Sequence, residues 1–209
     1  MNRLSNVIKA NAIKAAVLAG CLLATTAFAL KPGGPAPNFK GTDSNGKTET
    51  LSQYRGKFVV LEWTNRDCPY TMKHYQSGNM EQLQKEWTEK GVVWLTVLSS
   101  APGQQGYMTA AEENKYLSTM HAAPTAAILD PTGTIGRMYD AKATPHMFVI
   151  DPAGKLLYEG AIDDKPSPDP DTLKGAHNYV SAALEEAMSG RAVATPVTRS
   201  YGCSVKYAE

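Results

Sequence analysis

The sequence predicts an α/β sandwich: a central mixed sheet flanked by helices, with an N-terminal hairpin. Three observations carry this. Residues 58–63 and 92–98 are short continuous apolar runs, as expected of strands covered on both faces. A helix-compatible stretch of about twenty residues lies between them, which is the spacing of a β-α-β unit. Residues 148–150 and 156–158 flank Asp151-Pro152-Ala153-Gly154, a turn sequence between two apolar runs.

In chain order, residues 31–37 are rich in Gly and Pro and read as a lead-in. Asn45-Gly46 inside residues 39–51 is a tight-turn signal and predicts the N-terminal hairpin. The strand at 58–63 follows. A single helix is expected from just after Cys68 to about Lys90, stopped by Gly91 and weakened by Gly78 and Asn79. The strand at 92–98, a helix at 110–121 and a short strand at 126–129 come next. After the second hairpin, residues 163–170 form a polar, Pro-rich loop. A last helix is expected over 171–189, capped by Asp171 and ended by Gly190. Residues 191–209 read as an extended tail.

The N-terminus has its own character. Arg3, Lys9 and Lys14 precede an apolar stretch that ends in Ala27-Phe28-Ala29, the pattern of a cleaved export signal over residues 1–29. The apolar part is short of the ~20 residues that cross a bilayer. Leu18-Ala19-Gly20-Cys21 offers an alternative, lipidation at Cys21, which is the one route to a membrane. The mature domain is then 30–190, followed by the tail at 191–209. Cleavage turns the formal charge from +1 to −2, which argues against a nucleic-acid binder. Export to a periplasmic or secreted location places the two remaining cysteines, Cys68 and Cys203, in an oxidising compartment. Two thiols are too few for a disulfide scaffold and the right number for one functional couple. The four histidines are scattered, and neither metal-ligand spacing nor a phosphate-cradling loop is present in the sequence, so no cofactor is expected.

Cys68 is the candidate nucleophile. It follows a buried strand through Thr64-Asn65-Arg66-Asp67 and precedes Pro69, a residue favoured at the first helical position. A cysteine at the helix N-cap faces unpaired backbone N–H groups and the positive end of the helix dipole, and both favour thiolate. The Thr71 hydroxyl is placed to donate to the sulfur, and Arg66 to add positive charge.

Ala36-Pro37-Asn38-Phe39, the strand ending in Glu62-Trp63, Asp67-Cys68-Pro69-Tyr70 and the run from Thr144-Pro145-His146 to Gly154-Lys155 occur in an order that resembles the redoxin branch of the thioredoxin-like superfamily. The resemblance covers about residues 33–190. It implies a thioredoxin-like sandwich with a cis bond before Pro145 beside the reactive cysteine, and a Thr144 backbone free to pair with a substrate chain. It also assigns Glu62, six residues before Cys68, to the position of a buried proton-relaying acid; a salt-bridged strand-end acid is the alternative.

The chain departs from both well-marked redoxin patterns. In C-x-x-C the second cysteine is replaced by Thr71. In the peroxidatic P-x-x-x-[TS]-x-x-C, Leu61 and Asn65 stand at the marked positions, and Asn65 is left as a candidate donor to a peroxide oxygen. Tyr201-Gly202-Cys203-Ser204-Val205-Lys206-Tyr207 resembles a C-terminal segment that accompanies Asp-Cys-Pro in some bacterial redoxins. If the tail folds back, Cys203 can resolve an intermediate on Cys68. A static disulfide and an unrelated thiol are the other readings. The functions implied are an exported thiol–disulfide oxidoreductase acting on a protein disulfide or dithiol partner, a peroxidase for small hydroperoxides, or a non-catalytic binding or redox-sensing module. Either enzyme needs an external thiol reductant.

Overall fold

The computed structural model describes residues 30–208; residues 1–29, where an export signal is expected, and with them Cys21, lie outside these. A seven-stranded mixed sheet has the order β2-β1-β5-β4-β3-β7-β8. Its strands are β1 (Lys40–Asp43), β2 (Thr48–Thr50), β3 (Val59–Trp63), β4 (Val93–Leu98), β5 (Ala126–Leu129), β7 (His146–Ile150) and β8 (Leu156–Gly160). β3, β4 and β5 run parallel, while β7 pairs antiparallel with β3. Every residue of β3 and β4 is buried, Glu62 and Thr96 included, as expected of strands covered on both faces.

The sheet has a core on each face because side chains alternate along a strand. Leu61, Trp63, Leu95, Val97, Phe148 and Ile150 pack with Phe39 and with Ile135 of α4 (Thr134–Met138). Val60, Trp94, Met147 and Val149 point the other way. They meet Met80, Leu83 and Trp87 of α2 (Asn79–Glu89) and Val180, Ala183 and Leu184 of α5 (Tyr179–Met188). α3 (Ala110–Thr119) begins with a capping box in which Thr109 and Glu112 satisfy each other's backbone N–H.

Three elements differ from expectation. The helix after Cys68 is two helices, α1 (Pro69–Gln76) and α2, because Gly78 adopts φ +76°, a left-handed conformation no helix interior tolerates. The last helix starts at Tyr179 rather than at Asp171. Asn178 caps it by accepting from the Ser181 N–H at 2.8 Å, and Pro170–Leu173 forms a separate turn of 3-10 helix capped by Asp169. The short α4 carries too few residues to show a period in the sequence.

The tail is strapped across the domain. The Glu159 N–H donates to Pro196 O, the Thr198 N–H to Glu159 O, the Ala101 N–H to Lys206 O and the Val205 N–H to Lys142 O. Near its end the Tyr207 hydroxyl donates to Ala141 O at 2.7 Å. Within it, β9 (Cys203–Ser204) pairs antiparallel with β6 (Ala143–Thr144) as a separate two-stranded sheet.

Candidate active site

Cys68 is the N-cap of α1, with extended φ −84° and ψ 120°, and Pro69 is the first helical residue. The turn from β3 is closed by the Cys68 N–H donating to Asn65 O, and the helix opens with the Met72 N–H donating to Cys68 O. The sulfur side chain is fully buried. Across from it the Thr144–Pro145 peptide bond is cis, and Thr144 O accepts from the Cys68 thiol at 3.0 Å.

The tail completes the site. Cys203 stands opposite Thr144 in the β6–β9 register, and its N–H donates to Cys68 Sγ at 3.4 Å. The Thr144 hydroxyl donates to Cys203 O at 3.4 Å. Gly202 has φ +118°, and a Cβ there would collide with the Thr144 carbonyl and crowd Tyr70, so glycine is what lets the tail approach. Both cysteines are free thiols.

The two thiols are unequal. Burial pushes Cys68 up, but the Cys203 thiol, the Thr71 backbone N–H, the Thr144 side chain and the Cys203 N–H stabilise its anion, and the pKa falls below the ordinary value. Cys203 is pushed up to about 11, first by burial, then by its hydrogen bond to Cys68 and by the charge of Cys68; Lys206 opposes the rise. The arrangement thus holds one sulfur biased toward thiolate with a second thiol biased toward its protonated form alongside.

The geometry gives each of the other expected residues its partners. Thr144 is not free to pair with another chain, because its own tail fills that edge. The Thr71 hydroxyl makes no hydrogen bond; its backbone N–H is the group that acts on the sulfur. Arg66 lies 3.7 Å from Asp67 Oδ1, half-exposed, and is not among the groups that shift Cys68. Asn65 is tied to the loop, with Oδ1 accepting from the Asp67 N–H and Nδ2 giving one of its two N–H groups to Gln105 O. Glu62 is buried without a hydrogen bond to Cys68. It accepts from Tyr75 (2.8 Å), Gln84 (3.2 Å) and Trp94 (2.8 Å), and burial raises its pKa against those donors. Among the described residues no group of three His, Cys, Asp or Glu side chains is placed to hold a metal ion.

The sequence reading missed Tyr201, Lys73 and Asp163, which meet where the tail reaches α1. The one available signal is spacing, since residues two apart in an extended segment share a face and Tyr201 lies two before Cys203.

Comparison with known proteins agrees with this geometry. Residues 32–159 match the AhpC/TSA family. The chain is 26% identical over 130 residues to the thiol-disulfide oxidoreductase ResA of Bacillus subtilis (strain 168), a match that spans 61% of this chain and 66% of that protein. It therefore covers just under two thirds of that relative's length. A hypothetical protein of Sinorhizobium meliloti 1021 superposes with a TM-score of 0.75 at 19% identity, covering 86% of this chain and 96% of the other. An uncharacterized conserved protein of Geobacillus kaustophilus superposes at 0.74 with 24% identity, covering 85% and 92%. Those two likenesses concern the fold. With the family match extending over more than half the sequence, from the lead-in through Cys68 and Pro145 to β8, the chain belongs to the AhpC/TSA family, on the redoxin branch of the thioredoxin-like superfamily.

Proposed function

We propose that the protein is an exported thiol–disulfide oxidoreductase in which Cys68 is the nucleophile and Cys203 the resolving thiol. The observation that carries this is the Cys203 N–H donating to Cys68 Sγ at 3.4 Å, from a strand docked beside the cis-proline. The name of the ResA relative supports a disulfide as substrate.

The Cys68 thiolate attacks one sulfur of a substrate disulfide. A Cys68–substrate bond forms, the substrate S–S bond breaks, and the departing thiolate takes a proton. Cys203 then attacks Cys68, releases the second substrate thiol and leaves a Cys68–Cys203 disulfide. The substrate has gained two electrons, which an external dithiol later returns to the protein. The pKa order serves this sequence. Once Cys68 is in a mixed disulfide, its negative charge is gone, so part of what held Cys203 up disappears at the step where Cys203 must ionise.

Intact mass after mild oxidation, with and without Cys203→Ser, tests the assignment. Loss of two hydrogen atoms (two protons and two electrons) in wild type, replaced by a mixed disulfide in Cys203→Ser, is the expected result. A sulfenic acid on Cys68 and rapid peroxide consumption in both proteins would instead make it a peroxidase. The same spectrum of protein recovered from an exported fraction reports whether residue 30 or a lipidated Cys21 is the mature start.

A further inference from the structure

The second turn of α1 and the tail share a buried charge cluster. The side chains of Lys73 and Asp163 are 0% and 2% exposed, with Lys73 Nζ 3.6 Å from Asp163 Oδ2. Asp163 Oδ1 accepts from the Tyr201 hydroxyl at 2.6 Å and from the Lys165 N–H at 2.8 Å. Lys73 Nζ donates to Lys165 O at 2.8 Å and toward the Tyr201 oxygen at 3.4 Å, and lies 5.3 Å from the Tyr201 ring centre. Asn79 donates to His74 Nδ1 at 2.8 Å, which leaves the ring proton on Nε2, 3.7 Å from Asp163 Oδ2. Asp163 Oδ2 itself has no hydrogen-bond partner.

Buried charges are costly unless paired and hydrogen-bonded. The Tyr201 hydroxyl is one of the groups that satisfy this pair, which ties the tail to the cluster. Tyr201 is two residues from Cys203, and Lys73 and His74 belong to the helix that Cys68 caps. The helix that carries Cys68 thus also supplies the cation paired with Asp163, the acceptor that holds Tyr201.

We propose that Tyr201 is a positioning residue whose hydroxyl bond to Asp163 holds β9 against β6 and so sets the effective concentration of Cys203 at Cys68. The proposal rests on Cys68 and Cys203 being a redox couple. Oxidised glutathione probes it with balanced chemistry. Cys68 displaces one glutathione thiolate and Cys203 displaces the second. The internal disulfide forms as two electrons pass to glutathione, and the protein thiol protons go to the departing thiolates.

Wild type, Tyr201→Phe and Tyr201→Ala are equilibrated in graded glutathione buffers, quenched by alkylation and weighed. Tyr201→Phe keeps the ring against Tyr70 and Lys73 and removes only the hydroxyl. Its internal-disulfide equilibrium constant is expected to fall about tenfold, the effect of losing one hydrogen bond to a charged group, and Tyr201→Ala to fall at least as far. In a Cys203→Ser background, Tyr201→Phe should also speed alkylation of the buried Cys68 by a similar factor while the melting transition stays cooperative. A merely structural tyrosine would shift melting and leave the equilibrium constant alone. If wild type forms the disulfide and both variants match it within about twofold, the clasp is refuted and the couple survives. If wild type forms no internal disulfide at any buffer ratio, the couple fails and the clasp fails with it.

Discussion

The amide of Cys203 points at the sulfur of Cys68 from 3.4 Å, so the tail supplies the nucleophile with a hydrogen-bond donor as well as a second thiol. The two roles have separable consequences. Titration by ultraviolet thiolate absorbance should show two steps, one below the ordinary cysteine value of 9.0 for Cys68 and one at about 11 for Cys203. In Cys203→Ser the upper step vanishes. The lower step moves up only partly, because the backbone donors of residues 71 and 203 remain. A single unshifted step for both sulfurs would remove the basis for calling Cys68 activated.

Gly202→Ala tests the docking itself. The added methyl collides with the Thr144 carbonyl at a φ that side chains rarely adopt, so β9 cannot seat. Internal disulfide formation should be lost, and Cys68 should become open to iodoacetamide. The domain should still melt cooperatively, at a somewhat lower temperature, because Tyr201 and Val205 of the tail pack against its two cores. Retention of the disulfide at wild-type strength would show that the tail docks in another way.

How far the sequence reveals this site depends on how local each feature is. β3 and β4 are legible because unbroken apolar runs have few other uses, and the N-cap at Cys68 is legible because Pro69 marks the first helical turn. The break at Gly78 and the late start at Asn178 turn on single backbone conformations, which composition signals weakly. β9 is two residues long and exists only because Thr144, 59 residues earlier, offers it an edge. That pairing also reverses an expectation. The Thr144 backbone is the natural edge for a substrate strand, yet the chain fills it with its own tail. Thr71 shows a related limit: residue type says what a side chain can donate, yet its hydroxyl makes no hydrogen bond and its backbone N–H is the group that acts on the sulfur.

Glu62 separates spacing from contact. It holds the position six before the nucleophile but spends its oxygens on three donors, from Tyr75, Gln84 and Trp94. Replacing it by Gln turns one oxygen into an NH2 that must face a donor. Stability should fall by about 1–3 kcal/mol in urea unfolding, the cost of a buried unsatisfied polar group. The Cys68 titration step should stay where it is, since no bond joins the two residues. A clear shift of that step in Glu62→Gln would point to the acid as a proton relay.

Glu113 makes stability fall as pH rises. It is buried in α3 with Oε2 unpartnered, and burial, aided by the charge of Glu62 and opposed by Arg66, pushes its pKa up to about 7 from 4.5. Between these two values the native state holds a proton that the unfolded chain has released. The slope of unfolding free energy with pH is therefore negative across that window, and the full penalty is present above it. Glu113→Gln has no proton to lose, so it should match or trail wild type near about pH 4.5 and exceed it by about 2–3 kcal/mol near about pH 8. Subtracting the two urea-unfolding series cancels the other titrating groups, which are common to both proteins. Parallel curves across the window would mean that Glu113 reaches solvent or a cation in the folded chain.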